Sequence, residues 1–431
     1  MSDDSTRRSP ARGVVDRLLE FVAPGLSWDD DQRNLTAYGL VGRIANTFVN
    51  PFMTPFALSF GASKLHISVL DAFPSLVGSL MQVPASYLVE RTGKRKSLIV
   101  STGILTRATW ALVILLPLFF RSIAGVYALT VLMVVLAVTG SMFEPAWTSL
   151  VSDIVPRQVR GRFFATRNIL MSIGALLAVN VAGQVVTRGG FPNGYMTSMA
   201  IFWILSWVAL YFFNRVRDVP FSPLRPGERA RRVTIDTEAL RAPQFSTWIK
   251  ISSFFNLSVV LVGPLFGAYL IQDLHGTPAH LAYMSSAATL AGILGQRFWG
   301  PISDRRGPKF AMVTSACLSA VVPTLWYFAK SPWAAILADT LSGIAWSGWG
   351  LCSFNLILDI TPEAKRPSYV ATGNLVGGLT GFIGPLIGGY FAVRYSLRPM
   401  MLVSAIGRLT TGLLLQRYIE ASHEEPAAPA R

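Results

Sequence analysis

Of the 431 residues, 52% are hydrophobic and only 14% charged, against about 25% charged in ordinary soluble domains, which excludes both a soluble globular protein and a disordered chain. The net charge of +15, from 38 Lys+Arg against 23 Asp+Glu, lies between apolar runs rather than on one face, so it speaks for basic loops beside a bilayer and against nucleic-acid binding. Cys317 and Cys352 both sit inside apolar runs, so neither a disulfide framework nor a cysteine zinc site is available.

The chain opens on a polar segment, 1–33, without the apolar core and cleavage site of a signal peptide. Val14, Val15, Leu18, Leu19 and Val22 recur at helical spacing, which fits a short helix lying on the membrane surface or a partly ordered tail. A bilayer crossing needs about 20 mostly apolar residues. Six such stretches follow, at 35–60, 68–88, 98–119, 123–147, 163–186 and 196–213, and make an N-terminal half over 34–214. A polar interval at 215–245 reads as a central linker. Six more stretches, at 248–271, 281–302, 310–329, 333–357, 370–393 and 400–418, make a second half over 246–419, and 420–431 is a polar tail. The expectation is an all-α integral membrane protein of twelve transmembrane helices in two six-helix halves.

Lys and Arg set the orientation. Arg91, Lys94, Arg95 and Lys96, the arginines of 157–167, those of the linker, and Arg305, Arg306 and Lys309 all fall on the side of the termini, whereas the other connections hold few basic residues. Both termini are therefore expected in the cytoplasm, with the protein in the cell membrane.

The halves repeat. Asp153-Ile154-Val155-Pro156 is matched by Asp359-Ile360-Thr361-Pro362, and Glu90-Arg91-Thr92-Gly93-Lys94-Arg95 by Asp304-Arg305-Arg306-Gly307-Pro308-Lys309. Two six-helix halves in a parallel repeat are one transporter architecture. With Gly300-Pro301-Ile302-Ser303 leading into Asp304, this pattern resembles the major facilitator superfamily and its G-x-x-x-D-R-x-G-R/K-R/K loop. The first copy departs from it, with Glu90 in place of Asp. The resemblance implies that these loops latch the outward-facing state on the cytoplasmic side. The candidate latch comprises Glu90, Arg91, Gly93, Arg95, Asp153, Asp304, Arg305, Gly307 and Lys309. The bare alternative is that they only determine topology.

Ionisable residues inside spans are costly unless paired or wet. They are Arg43, Asp71, Arg107, Glu144, Arg297, Asp339 and Arg408, none with an ionisable counterpart in the other half. By the resemblance, the first, fourth, seventh and tenth helices line a central cavity. That makes Arg43, Glu144 and Asp339 the leading candidates for substrate or proton contact, with Asn46, Asn50 and Asn256 as polar neighbours. Arg107 lies about 16 Å beyond Lys96 at helical rise, too deep to snorkel, and must turn toward a carboxylate or a carbonyl. Asp71 and Glu144 are the available acids on neighbouring helices of its half, and a structural pair and a transport role are both open. Pro51 and Pro55 mark a kink in the first span.

Gly384-Pro385-Leu386-Ile387-Gly388-Gly389 resembles an element of drug/proton antiporters, although there it sits on the fifth helix. No nucleotide loop, serine elbow or zinc motif is present, so neither enzymatic activity, a cofactor nor a metal is expected. The reading is a secondary transporter or facilitator moving a small-molecule substrate by alternating access. Protons are a candidate coupling ion, membrane lipids are the surroundings, and a monomer is expected. A drug/proton antiporter is one alternative, and a non-transporting protein that binds pigment, lipid or an assembly partner is another.

Overall fold

A computed structural model describes residues 28–219, 240–361 and 366–419. The expected surface helix of the N-terminal tail, most of the linker and the last twelve residues lie outside the described residues, as do the side chains of Glu90, Arg157 and Asp359.

The first leg is α1 (Asp30–Thr47), capped by the Asp29 carboxylate accepting from the Gln32 amide at 2.7 Å, then a 3-10 turn at Asn50–Phe52 and α2 (Met53–Ser59). Pro51 has no amide hydrogen to continue the ladder, so the helix breaks there, while Pro55 sits in the first turn of α2, where no intrahelical donor is needed. The seventh leg repeats this design: α8 (Pro243–Val260), a 3-10 turn at Gly263–Leu265, and α9 (Phe266–Gln272), every bound lying 213 residues after its counterpart. Pro264 makes the second break.

The remaining legs of the first half are α3 (Lys64–Thr92), α4 (Arg95–Phe119), α5 (Ile123–Ile154), α6 (Arg157–Gly189) and α7 (Tyr195–Asn214). The second half continues with α10 (Pro278–Phe328), two legs meeting at Gly307, then α11 (Pro332–Ile360), α12 (Arg366–Arg394) and α13 (Leu397–Tyr418). Gly93 caps α3 at φ 64° and Gly307 turns between its two legs at φ 81°, the left-handed backbone that a side chain disfavours. Seven stretches of the described residues are long and apolar enough to cross a bilayer. Two of them, Val159–Asn214 and Pro278–Phe328, fold back at Phe191 and Gly307 and supply two crossings each. Together with α1/α2, α11 and α13, the described residues form twelve legs.

The second leg of each half starts on the same device. Ser63 and Thr277 cap α3 and α10, and the Nδ1 of His66 and His280 accepts from the backbone amide of the capping residue at 3.2 and 3.1 Å.

Apolar packing divides the bundle by height. At the end remote from the Gly93 and Gly307 loops, one continuous core takes Phe56, Val113 and Tyr195 from the first half and Leu265, Leu281 and Trp326 from the second. At the basic end the cores separate: Ile99, Val151 and Phe213 belong to the first half alone, and Phe245, Trp299 and Leu415 to the second alone. The halves are fused at one end and parted at the other.

Two seams carry the fused end. Along α3 and α12, Gly381 packs on Ser75 and Gly389 on Ser68. Along α6 and α10, Asn180 donates to Ser286 Oγ and Gln184 to Tyr283 OH, each at 2.9 Å, beside Gly183 packed on Ala282. Lys64 and Asp273 close the rim with an ion pair at 2.8 Å.

Candidate functional site

Where the halves part, a cavity of about 600 Å³ opens between α3, α8, α11 and α12. Its wall in the second half is aromatic. Phe255 stacks on Trp349 with ring centroids 3.8 Å apart and planes at 24°, Trp346 closes on Phe255 at 6.0 Å, and Phe245 meets Tyr369 at 4.6 Å. Serines of α8 and α11 lie between the rings, and Ser75, Ser79 and Gln82 of α3 bring in the other half. No Asp, Glu, Lys or Arg is among the residues that line it.

Asn256 is held in one orientation. Its Nδ2 donates to Gly377 O at 3.2 Å and to Thr380 Oγ1 at 2.6 Å, and Thr380 spends its own hydrogen on Gly377 O at 2.9 Å. Both partners must accept, so the amide nitrogen is fixed on α12 and Oδ1 remains as an acceptor.

Of the eight residues expected along a substrate or proton pathway, Asn256 alone lines this cavity. Arg43, Asn46 and Asn50 form an exposed stripe on one face of the first leg, with Asn46 Nδ2 donating to Gly42 O at 2.8 Å. Such a stripe cannot face hydrocarbon cheaply, which favours a water-filled gap between the halves, although none of the three lines the cavity. Arg43 precedes Asn256 by the repeat distance of 213 residues, and the two hold the same position in their halves. Glu144 is exposed on α5, within electrostatic reach of Tyr38. Asp71 is exposed one helical turn from Ser75. Asp339 is half-buried on α11, with Arg408 of α13 as its electrostatic partner.

Arg107 turns to carbonyls and not to an acid. Nε donates to Ser206 O at 3.0 Å, Nη2 to the same oxygen, and Nη1 to Gly103 O at 2.7 Å, while Trp203 Nε1 donates to Arg107 O at 2.9 Å. The other half answers with the same pair of legs and the arginine on the opposite member. Arg408 of the twelfth leg donates from Nη1 to Ser319 O of the ninth at 3.0 Å and from Nε to Ser404 Oγ at 3.1 Å.

At the basic end, Arg95 is buried and donates to Asp153 at 2.7 Å, Ser149 Oγ at 2.8 Å and Val219 O at 3.1 Å. It thus ties α4 to α5 and to the start of the linker. Arg91, Asp304, Arg305 and Lys309 make no hydrogen bond or ion pair among the described residues. Of the arginines of 157–167, Arg160 and Arg167 turn toward the protein, while Arg162 is exposed. Arg160 donates to Ser152 O at 2.7 Å, and Arg167 lies buried on Gly39 with its guanidinium 5.4 Å from the Trp147 ring. No three His, Cys, Asp or Glu side chains converge for a metal among the described residues.

The family model for the Major Facilitator Superfamily matches residues 35–261 and again 251–431. The chain is 29% identical over 191 residues to the multidrug resistance protein MdtG of Serratia proteamaculans (strain 568), covering 42% of this chain and 46% of that protein. It is 30% identical over 175 residues to a Na(+), Li(+), K(+)/H(+) antiporter of Planococcus maritimus, covering 39% and 40%. These matches span less than half the length of either relative. Among solved structures, the nucleoside transporter NupG superposes with a TM-score of 0.70 at 12% identity, over 90% of this chain and 99% of its own. A D-xylose-proton symporter does so with a TM-score of 0.68 at 13% identity, over 91% and 98%. Both share the fold.

Proposed function

Because the chain belongs to the major facilitator superfamily, we propose that it is a secondary transporter that carries a small organic solute across the membrane by alternating access. The observation that carries this reading is the division of the core, continuous across both halves at one end and split between them at the other. A bundle packed this way is one of two states of a rocking pair of halves. With the basic loops in the cytoplasm, the state is open inward and the fused end faces outside. A gradient drives the cycle. Protons are the coupling ion favoured here, with Glu144, Asp71 and Asp339 as the acids that could exchange them, in a monomer surrounded by lipid in the cell membrane.

The loop residues enter as a latch. In the inward-open state Asp304 has no partner among the described residues, while Arg95 keeps Asp153 within its own half. When the halves close at the basic end, Asp304 would gain a neighbouring arginine or helix terminus. Drug/proton antiport is the second reading, favoured by the stretch shared with the MdtG protein and by Gly388, which lets α12 press on the Leu261 carbonyl in the fused-end core.

Cysteine accessibility tests the proposal. In vesicles, Ser353→Cys in the cavity should react with a membrane-impermeant maleimide from the basic side, while Ser68→Cys in the seam stays protected. Under a proton or sodium gradient with a transported solute, the two rates should change in opposite directions. A protein whose rates never change with any solute or gradient would be a binding protein built on a transporter fold.

A further inference from the structure

The two walls of the gap differ in chemistry. In the second half the wall offers aromatic faces, hydroxyls and the acceptor Oδ1 of Asn256, and no formal charge. In the first half, the repeat position of Asn256 is taken by Arg43. Both lie seven residues before the helix break of their leg, hence about 10 Å from it at helical rise, so they sit at one depth. Arg43 is exposed and makes no hydrogen bond or ion pair among the described residues. A guanidinium at that depth can remain unpaired only in a water-filled space, so its fork of donors is open to a solute.

Neither of the exposed acids of that half named above, Asp71 and Glu144, forms an ion pair with Arg43 among the described residues.

We propose, resting on the transporter reading above, that the solute is a ring-bearing organic anion bound across the gap. Its ring lies on the Phe255, Trp346 and Trp349 wall, and its carboxylate, or a like oxyanion, is held by Arg43. The wall excludes the reverse pose. Aromatic faces carry the negative part of the ring quadrupole and accept another ring edge-on or offset, and a fixed Oδ1 acceptor repels a carboxylate. Arg43 supplies the planar bidentate fork that an oxyanion matches.

The test uses protein reconstituted in nanodiscs and three ligands of one shape: 2-naphthoate, 2-naphthamide and 2-naphthylmethylammonium, measured by equilibrium binding. The wild type should bind the naphthoate at least tenfold more tightly than the amide and should bind the ammonium least. Arg43→Gln should erase the preference of naphthoate over amide, the loss falling mainly on naphthoate, and Arg43→Lys should retain part of it. Trp349→Ala should weaken naphthoate and amide alike, by about tenfold. Absent naphthoate binding, equal binding of naphthoate and amide to the wild type, or a preference that survives Arg43→Gln would each overturn the proposal. Melting curves of each variant separate lost binding from lost folding. The maleimide rates of Ser353→Cys and Ser68→Cys report alternating access independently, so that reading stands or falls apart from this one.

Discussion

The double variant Gly183→Leu/Gly389→Leu is expected to fold and to invert the accessibility of the protein, opening the fused end and closing the cavity. These glycines lie in the two seams that join the halves. A β-carbon at Gly183 would stand 2.5 Å from the Ala282 β-carbon and 3.3 Å from Ala279 Cα, and one at Gly389 would overlap Ser68 Oγ and come within 3.1 Å of Leu65 Cα. A leucine at either place fits only if the halves part there. Overpacking a well-packed contact costs about 1–3 kcal/mol, so two wedges against the same state cost about 2–6 kcal/mol. Inverting a population from 1:99 to 99:1 takes about 5.5 kcal/mol. One wedge should therefore shift the equilibrium, and both together should carry it most of the way. The maleimide rate at Ser353→Cys should fall at least tenfold in the double variant, and Ser68→Cys should become reactive. A folded double variant with unchanged rates would show that these seams do not separate.

Arg107→Ala should cost roughly 3 kcal/mol or more, because hydrogen bonds from a charged donor contribute about 1.5–3 kcal/mol each and the truncation also leaves a void. Arg107 joins the third leg to the sixth through Ser206 O, as Arg408 joins the twelfth to the ninth through Ser319 O. Thermal melting in detergent should show a large drop for either alanine variant. The two sites lie in different halves, so their costs should add to within about 0.5 kcal/mol. Arg107→Lys should recover only part of the loss, since one ammonium cannot match a guanidinium fork at two carbonyls. An Arg107→Ala protein as stable as the wild type would show that this arginine is not a clamp. A clamp role also makes a separate forecast for Glu144: Glu144→Gln should leave the melting temperature nearly unchanged, because Glu144 is not a partner of Arg107.

The twelve legs were legible because a bilayer crossing leaves a long apolar run that needs no knowledge of its neighbours. The paired loops around Gly93 and Gly307 were legible for a similar reason, since a left-handed turn after a helix and a cluster of like charge are local demands. The repeat ran further than those loops suggested. Pro51 and Pro264, and Ser63-x2-His66 and Thr277-x2-His280, lie 213 and 214 residues apart, close to the offset between Gly93 and Gly307. Together they mark Asn50–Phe52 and Gly263–Leu265 as equivalent breaks and the two histidines as helix caps. The partners of the buried arginines left no such trace. Carbonyl oxygens occur at every residue, so nothing in the sequence says that Arg107 meets Ser206 or that Arg167 lies on Gly39. The aromatic wall was missed for the same reason. Phe255, Trp346 and Trp349 look like ordinary apolar residues of a span until α8 and α11 are packed side by side.

Reciprocal motion of the two ends is tested most directly by pulsed electron–electron distance measurements on spin labels in nanodiscs. One pair, at Lys94→Cys and Arg305→Cys, spans the basic end, and the other, at Arg121→Cys and Lys330→Cys, spans the fused end. All four positions are exposed. The account predicts a long distance at the basic end and a short one at the fused end in the otherwise wild-type protein. In the Gly183→Leu/Gly389→Leu background the first should shorten and the second lengthen, each by several ångströms, about the size of one helical turn. Distances that stay fixed in a folded wedge variant, or that lengthen at both ends together, would contradict alternating access between the two halves.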